Sequence, residues 1–122
     1  MKEKTVQTKL TKGLLDLIVL QLLENDAMHG YQIITTIRNN YGVYFGPSTV
    51  YPLLGTMEKK KYVKSEWNMD GDRPRKIYNI TNTGKAMLDY TAHSLKLICK
   101  AIEKDNTQVQ NEVQHQVRLL QE

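Results

Sequence analysis

The chain has 122 residues, 40% of them hydrophobic and 25% charged, with seven Gly, three Pro, one Cys and a formal net charge of +4. That balance fits one globular chain of ordinary domain size and excludes collagen-like, broadly disordered and disulfide-framed classes. The positive charge is uneven: residues 1–12 and 59–76 carry net charges of +3 and +4, residues 13–58 carry −3, and residues 77–122 carry none. Such confinement is the footprint of a surface that meets an anionic partner.

Lys12 to Asn25 predicts a helix in which Leu14, Leu15, Leu17, Ile18, Val19, Leu20, Leu22 and Leu23 leave almost no polar face. A helix that apolar is buried on most sides, and in a chain this short one side is expected to be covered by a second copy, with Leu15 and Ile18 in the interface. The stretch Leu14 to Leu23 spans ten residues with Asp16 and Gln21 inside it, about half of the ~20 a membrane helix needs. Met1 to Lys12 runs into it without a small-residue cleavage site, so neither a membrane span nor a secretory signal is expected. With Cys99 as the single cysteine, the cytoplasm is the default compartment.

His29-Gly30-Tyr31 opens a second helix with Ile33, Ile34 and Ile37 on its apolar face, and Gly42 is its left-handed stop. Gly46-Pro47-Ser48-Thr49 starts a third, with Pro in the first turn and Ser48 or Thr49 as cap; Val50, Leu53, Leu54 and Met57 follow at helical spacing to about Lys60, with Pro52 near the first turn. Tyr62–Trp67 and Lys76–Ile80 read as two strands of a hairpin, joined by the polar loop Asn68 to Pro74. Thr81 caps a fourth, long helix on which Leu88, Thr91, Leu95, Ile98 and Ile102 recur at the spacing of a helix–helix seam. After a break near Asp105-Asn106, Val109, Val113, Val117 and Leu120 continue the helical spacing.

Three helices followed by a hairpin is the order of a winged helix-turn-helix, in which the third helix enters the major groove of DNA and the hairpin touches the flanking backbone. The expected fold is therefore mainly α with a small β part: a winged domain over residues 1–80 and a C-terminal helical dimerisation segment over residues 81–122. The charge agrees, since Arg73, Arg75 and Lys76 lie on the wing, where phosphate contacts need cations. Ser48, Thr49 and Tyr51 on the front of the third helix and Tyr31 at the start of the second offer hydroxyls to bases or phosphates. His29, His93 and His115 are far apart and lack neighbours at ligand spacing, so no metal or cofactor is expected; Cys99 reads as a small buried thiol beside the seam. Ser48 has no adjacent base and no glycine-rich phosphate loop follows a strand, so an enzyme is not expected. The competing reading is a winged-helix module that binds protein or RNA without ligand control, against which the basic wing counts.

Four segments in order, Gly13-Leu-Leu-Asp-Leu-Ile-Val-Leu-Gln-Leu-Leu23, Met28-His-Gly-Tyr-Gln-Ile33, Gly46-Pro-Ser-Thr-Val-Tyr-Pro-Leu-Leu54 and Arg73-Pro-Arg-Lys-Ile-Tyr-Asn-Ile-Thr81 with Gly84, closely resemble the PadR family of transcriptional regulators over about residues 10–88. The resemblance implies a winged N-terminal domain, a C-terminal helix that dimerises, a pseudo-palindromic double-stranded DNA operator, and repression relieved by a small hydrophobic or aromatic effector. The short chain looks like the subfamily with a single C-terminal helix. The resemblance puts DNA contact at Tyr31, Ser48, Thr49, Tyr51, Arg73, Arg75 and Lys76 and close helix packing at Gly30, while the apolar spacing puts the dimer seam at Leu15, Ile18, Leu88, Leu95, Ile98 and Ile102. The resemblance also puts an effector near Met87 and Tyr90. The C-terminal helix lacks the tryptophan with which some short members stack flat drugs; Trp67 lies in the first wing strand instead.

Overall fold

A computed structural model describes residues 2–121, with the side chains of residues 104–114, 116, 117 and 121 outside the description. In chain order it contains α1 (Lys2–Gly13), α2 (Leu15–Asn25), β1 (Met28–His29), α3 (Gly30–Tyr41), α4 (Pro47–Lys59), β2 (Val63–Asn68), β3 (Arg75–Ile80) and α5 (Asn82–Gln121). The three strands form one antiparallel sheet in the order β1-β3-β2. This is the winged helix-turn-helix expected from the sequence, mainly helical with a small sheet.

Two elements lie outside the sequence reading. The charged N-terminus is a helix of its own, α1, broken from α2 at Leu14 (φ −105°, ψ 13°) rather than one helix starting at Lys12. Gln7 holds α1 in place by donating from Nε2 to the Tyr41 carbonyl at the end of α3 (2.9 Å), and Thr11 is buried. The second addition is β1, which pairs Met28 with Tyr78 and His29 with Ile77.

The core comes from one face of each element: Val19 of α2, Ile33 and Ile37 of α3, Val50 and Leu54 of α4, and Val63 of β2 are almost fully enclosed. Covered by its own chain in this way, α2 needs no second copy, which corrects the expectation drawn from its apolar sequence. Leu15 and Ile18 retain only 4% and 6% of their surface, so the chain's own packing uses what the sequence reading gave to a dimer interface. Gly42 ends α3 in the left-handed region (φ 70°), its N–H donating to the Arg38 carbonyl, as expected of an αL stop.

The joint after α4 is tightly built. Lys61 turns the chain in the left-handed region (φ 65°), a conformation that costs a residue with a Cβ roughly 1–2 kcal/mol. Two hydrogen-bond sets hold it there. Thr81 Oγ1 reaches the carbonyls of Lys61 (2.6 Å) and Tyr62 (3.0 Å), and Thr81 N–H donates to Tyr62 O (3.0 Å). The same hydroxyl caps α5 by accepting from Gly84 N–H (3.0 Å), as the sequence predicted. Gly84 then passes so close to the Tyr62 carbonyl that a Cβ would overlap it.

The chain divides into two compact units, one through Asp89 and one from Tyr90. Residues 82–89, assigned by the sequence reading to the C-terminal segment, join the first unit's core through Leu88. α5 runs through Asp105-Asn106 without the break expected there, and the side chains of Val109, Val113 and Val117 lie outside the described residues. No helix among the described residues is long and apolar enough to cross a membrane.

Candidate nucleic-acid interface

Burial of Val50, Leu54 and Met57 turns the opposite side of α4 outward, and Ser48, Tyr51, Pro52, Gly55, Thr56 and Lys59 stand exposed there. Gly46 is the N-cap, with no side-chain cap bond, and Pro47 occupies the first turn. Capping by Ser48 or Thr49 is therefore corrected: Pro47 is pre-set for the first helical position, which moves the cap back to a residue without a side chain. Ser48 is exposed and Thr49 half-buried. Pro52 lies in the second turn rather than the first, and α4 continues through it to Lys59.

Gly30 at the start of α3 lets the Tyr51 ring lie directly on the backbone; a Cβ there would sit 2.5 Å from Tyr51 Cζ and 2.6 Å from its Oη. The glycine thus fixes where Tyr51 emerges from α4. Beside it, His29 caps α3 in a reciprocal box: Nδ1 accepts from Gln32 N–H (3.3 Å), and Gln32 Oε1 accepts from His29 N–H (3.0 Å). The sequence reading missed this box, because histidine is not among the usual capping residues and only Gln32 at the third helical position hinted at it.

His29 also links α3 to the wing, with Nε2 at 3.1 Å from Arg75 Nη1. Burial first, and the Arg75 charge second, hold the imidazole below its usual pKa, so the neutral ring is favoured. A neutral ring has one acceptor nitrogen, so the tautomer decides whether it takes the Gln32 N–H on Nδ1 or an Arg75 N–H on Nε2.

The wing is tied to α4 through Glu58. Ser65 Oγ donates to Glu58 Oε2 (2.6 Å), and Lys76 Nζ lies 3.6 Å from Glu58 Oε1. Lys76 also sits 5.8 Å above the Tyr78 ring. Tyr78 is held above the usual phenol range, chiefly by burial, then by the charge of Glu58 and by Tyr51. Arg73 has no ion-pair or hydrogen-bond partner among the described residues, which leaves its charge available.

These elements enclose an open cleft of about 1010 Å³, lined among others by Tyr31, Tyr51, Trp67, Arg73, Arg75 and Lys76. Five of the seven residues named for DNA contact thus line one surface feature; Ser48 and Thr49 lie at the start of α4 outside that lining. Glu58, His29 and Trp67 were missed by the sequence reading.

The remaining named residues are dispersed. Leu88 is buried in the first unit, Leu95 is half-buried, and Ile98 and Ile102 are 58% and 55% exposed. Met87 is half-buried against the core of the first unit, and Tyr90 of the second is exposed. Cys99 is exposed rather than a buried thiol.

Comparison with known proteins agrees with this architecture. A curated relative from Lysinibacillus sphaericus, an uncharacterised protein, is 33% identical over 87 residues, covering 68% of this chain and 79% of the relative. Among solved structures, a PadR family transcriptional regulator from Eggerthella lenta is 27% identical with a TM-score of 0.75, covering 83% of this chain and 88% of the other. A transcriptional regulator from Clostridium thermocellum is 28% identical with a TM-score of 0.71, covering 79% and 96% respectively. Bacillus subtilis PadR, solved in complex with operator DNA, shares the fold at 23% identity and a TM-score of 0.60, over 65% of this chain and 45% of its own. The profile of the transcriptional regulator PadR-like family matches residues 19–90, and with more than half of its length matched, the chain belongs to the PadR-like family of transcriptional regulators.

Proposed function

We propose that this chain is a sequence-specific DNA-binding repressor that works in the cytoplasm as a homodimer on a pseudo-palindromic operator. A small hydrophobic or aromatic effector releases it. The observation that carries the DNA-binding reading is the cleft in which Tyr31 and Tyr51 meet Arg73, Arg75 and Lys76 beside the outward face of α4. Hydroxyls and cations converge there as a phosphate backbone requires. The operator complex of the Bacillus subtilis relative supports the same use of this fold.

The first unit is the DNA-binding part, and the helix from Tyr90 onward supplies the seam. Ile98 and Ile102, left exposed at helical spacing, support that assignment, with Leu95 beside them; Leu15, Ile18 and Leu88 support the fold of each subunit. On a two-fold dimer the two α4 helices enter grooves about one turn, ~34 Å, apart. An effector that favours another arrangement of the two subunits lowers operator affinity through its preference for that arrangement.

The test is fluorescence-polarisation binding to labelled DNA from upstream of the protein's own gene, with scrambled duplex as competitor, over a salt series. A preference of ~10³ or more for the upstream DNA is expected. Weak, equal binding to both duplexes at every upstream segment tried would replace this reading with a protein- or RNA-binding module. Arg73→Ala should weaken binding to all duplexes and reduce the slope of log K against log salt by about one. Lys76→Ala should reduce it by less, because Glu58 already holds that ammonium; equal reductions would show that the ion pair opens in the complex.

Gly30→Ala separates positioning from folding. Tyr51 is half exposed, so its ring can swing outward at little cost to the fold, and a stability change under about 1 kcal/mol is expected. The displaced hydroxyl should weaken upstream-DNA binding about fivefold, the equivalent of one hydrogen bond. Unchanged affinity would remove Tyr51 from the interface.

A further inference from the structure

We propose that Trp67 contacts duplex DNA, its ring lying against the sugar–phosphate backbone beside the groove that α4 enters; this rests on the DNA-binding reading above. The sheet places it there. Val63 pairs with Ile80, Ser65 with Tyr78, and Trp67 with Lys76, so alternation puts these six side chains on one face. The first pair belongs to the core or packs against it. In the second, Tyr78 is buried and Ser65 is bonded to Glu58 of α4. The third pair extends past that cover, and the Trp67 side chain is 64% exposed.

The chain's single tryptophan therefore stands uncovered at the outer end of a row that is otherwise core-facing. Its surroundings select the occupant. Trp67 shares its cleft with Arg73, Arg75 and Lys76, and three cations lining that cleft disfavour a purely apolar partner. A nucleic-acid strand alternates apolar deoxyribose with phosphate, so consecutive units of one strand satisfy the ring and its cationic neighbours together. Arg73 and Trp67 then act differently: one neutralises phosphate and the other supplies uncharged contact area.

Because Trp67 is the only tryptophan, its emission reports the contact directly. The wild-type protein is titrated with upstream duplex and with scrambled duplex, and binding is followed in parallel by polarisation of labelled DNA. Quenching or a blue shift that saturates with the polarisation curve is expected. Trp67→Ala should bind the upstream duplex about tenfold more weakly, as expected for losing the apolar contact of one ring against deoxyribose, with the salt slope unchanged. Trp67→Phe should recover most of that loss, and the thermal midpoint of both variants should match the wild type. Polarisation that rises while Trp67 emission stays constant would overturn the contact and leave the DNA-binding reading intact. A Trp67→Ala variant with wild-type affinity would do the same. No polarisation change with any duplex would overturn both.

Discussion

Gly84→Ala is expected to destabilise the protein by about 2 kcal/mol, lowering its thermal midpoint by about 8 °C. The added Cβ would overlap the Tyr62 carbonyl oxygen and lie 2.8 Å from Ile80 Cγ1 and 3.0 Å from the Tyr62 carbonyl carbon. Backbone rather than a loose side chain is in the way. That backbone cannot retreat, because Tyr62 N–H donates to Met57 O (2.9 Å) while Tyr62 O accepts from Thr81. Overpacking of this kind costs about 3 kcal/mol, and the better helix propensity of Ala offsets about 1 kcal/mol of it. Thermal and urea unfolding followed by circular dichroism would measure the difference. A variant as stable as wild type would mean that the start of α5 can shift away from β3, and that the joint is looser than drawn.

Ile98→Asp is expected to convert the proposed dimer to monomers and to weaken upstream-DNA binding by about a hundredfold or more, because a lone subunit loses the effective concentration of the second half-site. Ile98 is largely exposed in the single chain, so the carboxylate leaves the subunit fold intact. Its cost appears only where a second copy covers it. A two-fold seam then buries the charge twice, without a counter-ion, at several kcal/mol per ion. Sedimentation should show the monomer mass at concentrations where the wild type is dimeric, with an unchanged helical signal. A dimer that survives the substitution would move the seam away from Ile98.

The parts of the fold legible in the sequence are those written in local chemistry. Gly42 at an αL stop, Pro47 in a first turn and Thr81 as the cap of α5 each act within a few residues, and the hairpin boundaries came within a residue or two. The parts that were not legible depend on distant partners. As a strand, β1 is only two residues long and exists through its pairing with Tyr78 and Ile77. In α1, only Val6 and Leu10 interrupt a polar run, too few to show a helical period, and its tie to α3 through Gln7 has no sequence signature. The continuous leucine run hid the break at Leu14, and it also suggested a second chain where the subunit covers α2 itself.

The candidate site divides the same way. Cations on the wing and hydroxyls near two helix starts could be read from residue type and position. That Lys76 is shared with Glu58, that Arg75 faces His29, and that Trp67 is left uncovered follow from strand register and from the approach of α4 to the sheet. Residue types named five of the residues that line the cleft, and only the fold showed which of its cations have charge to spare.

Glu58 has one more consequence. It holds β2 through Ser65 and β3 through Lys76, so α4 and the wing keep a set separation before any duplex arrives. The pair works as a caliper with its jaws fixed. On the DNA-binding reading proposed above, a duplex whose groove width matches that gap would be gripped without distortion, while one too narrow or too wide would pay an elastic penalty at base pairs no side chain touches. Part of the selectivity would then be written as a distance, which changing the length of the side chain at position 58 should retune without altering a base contact.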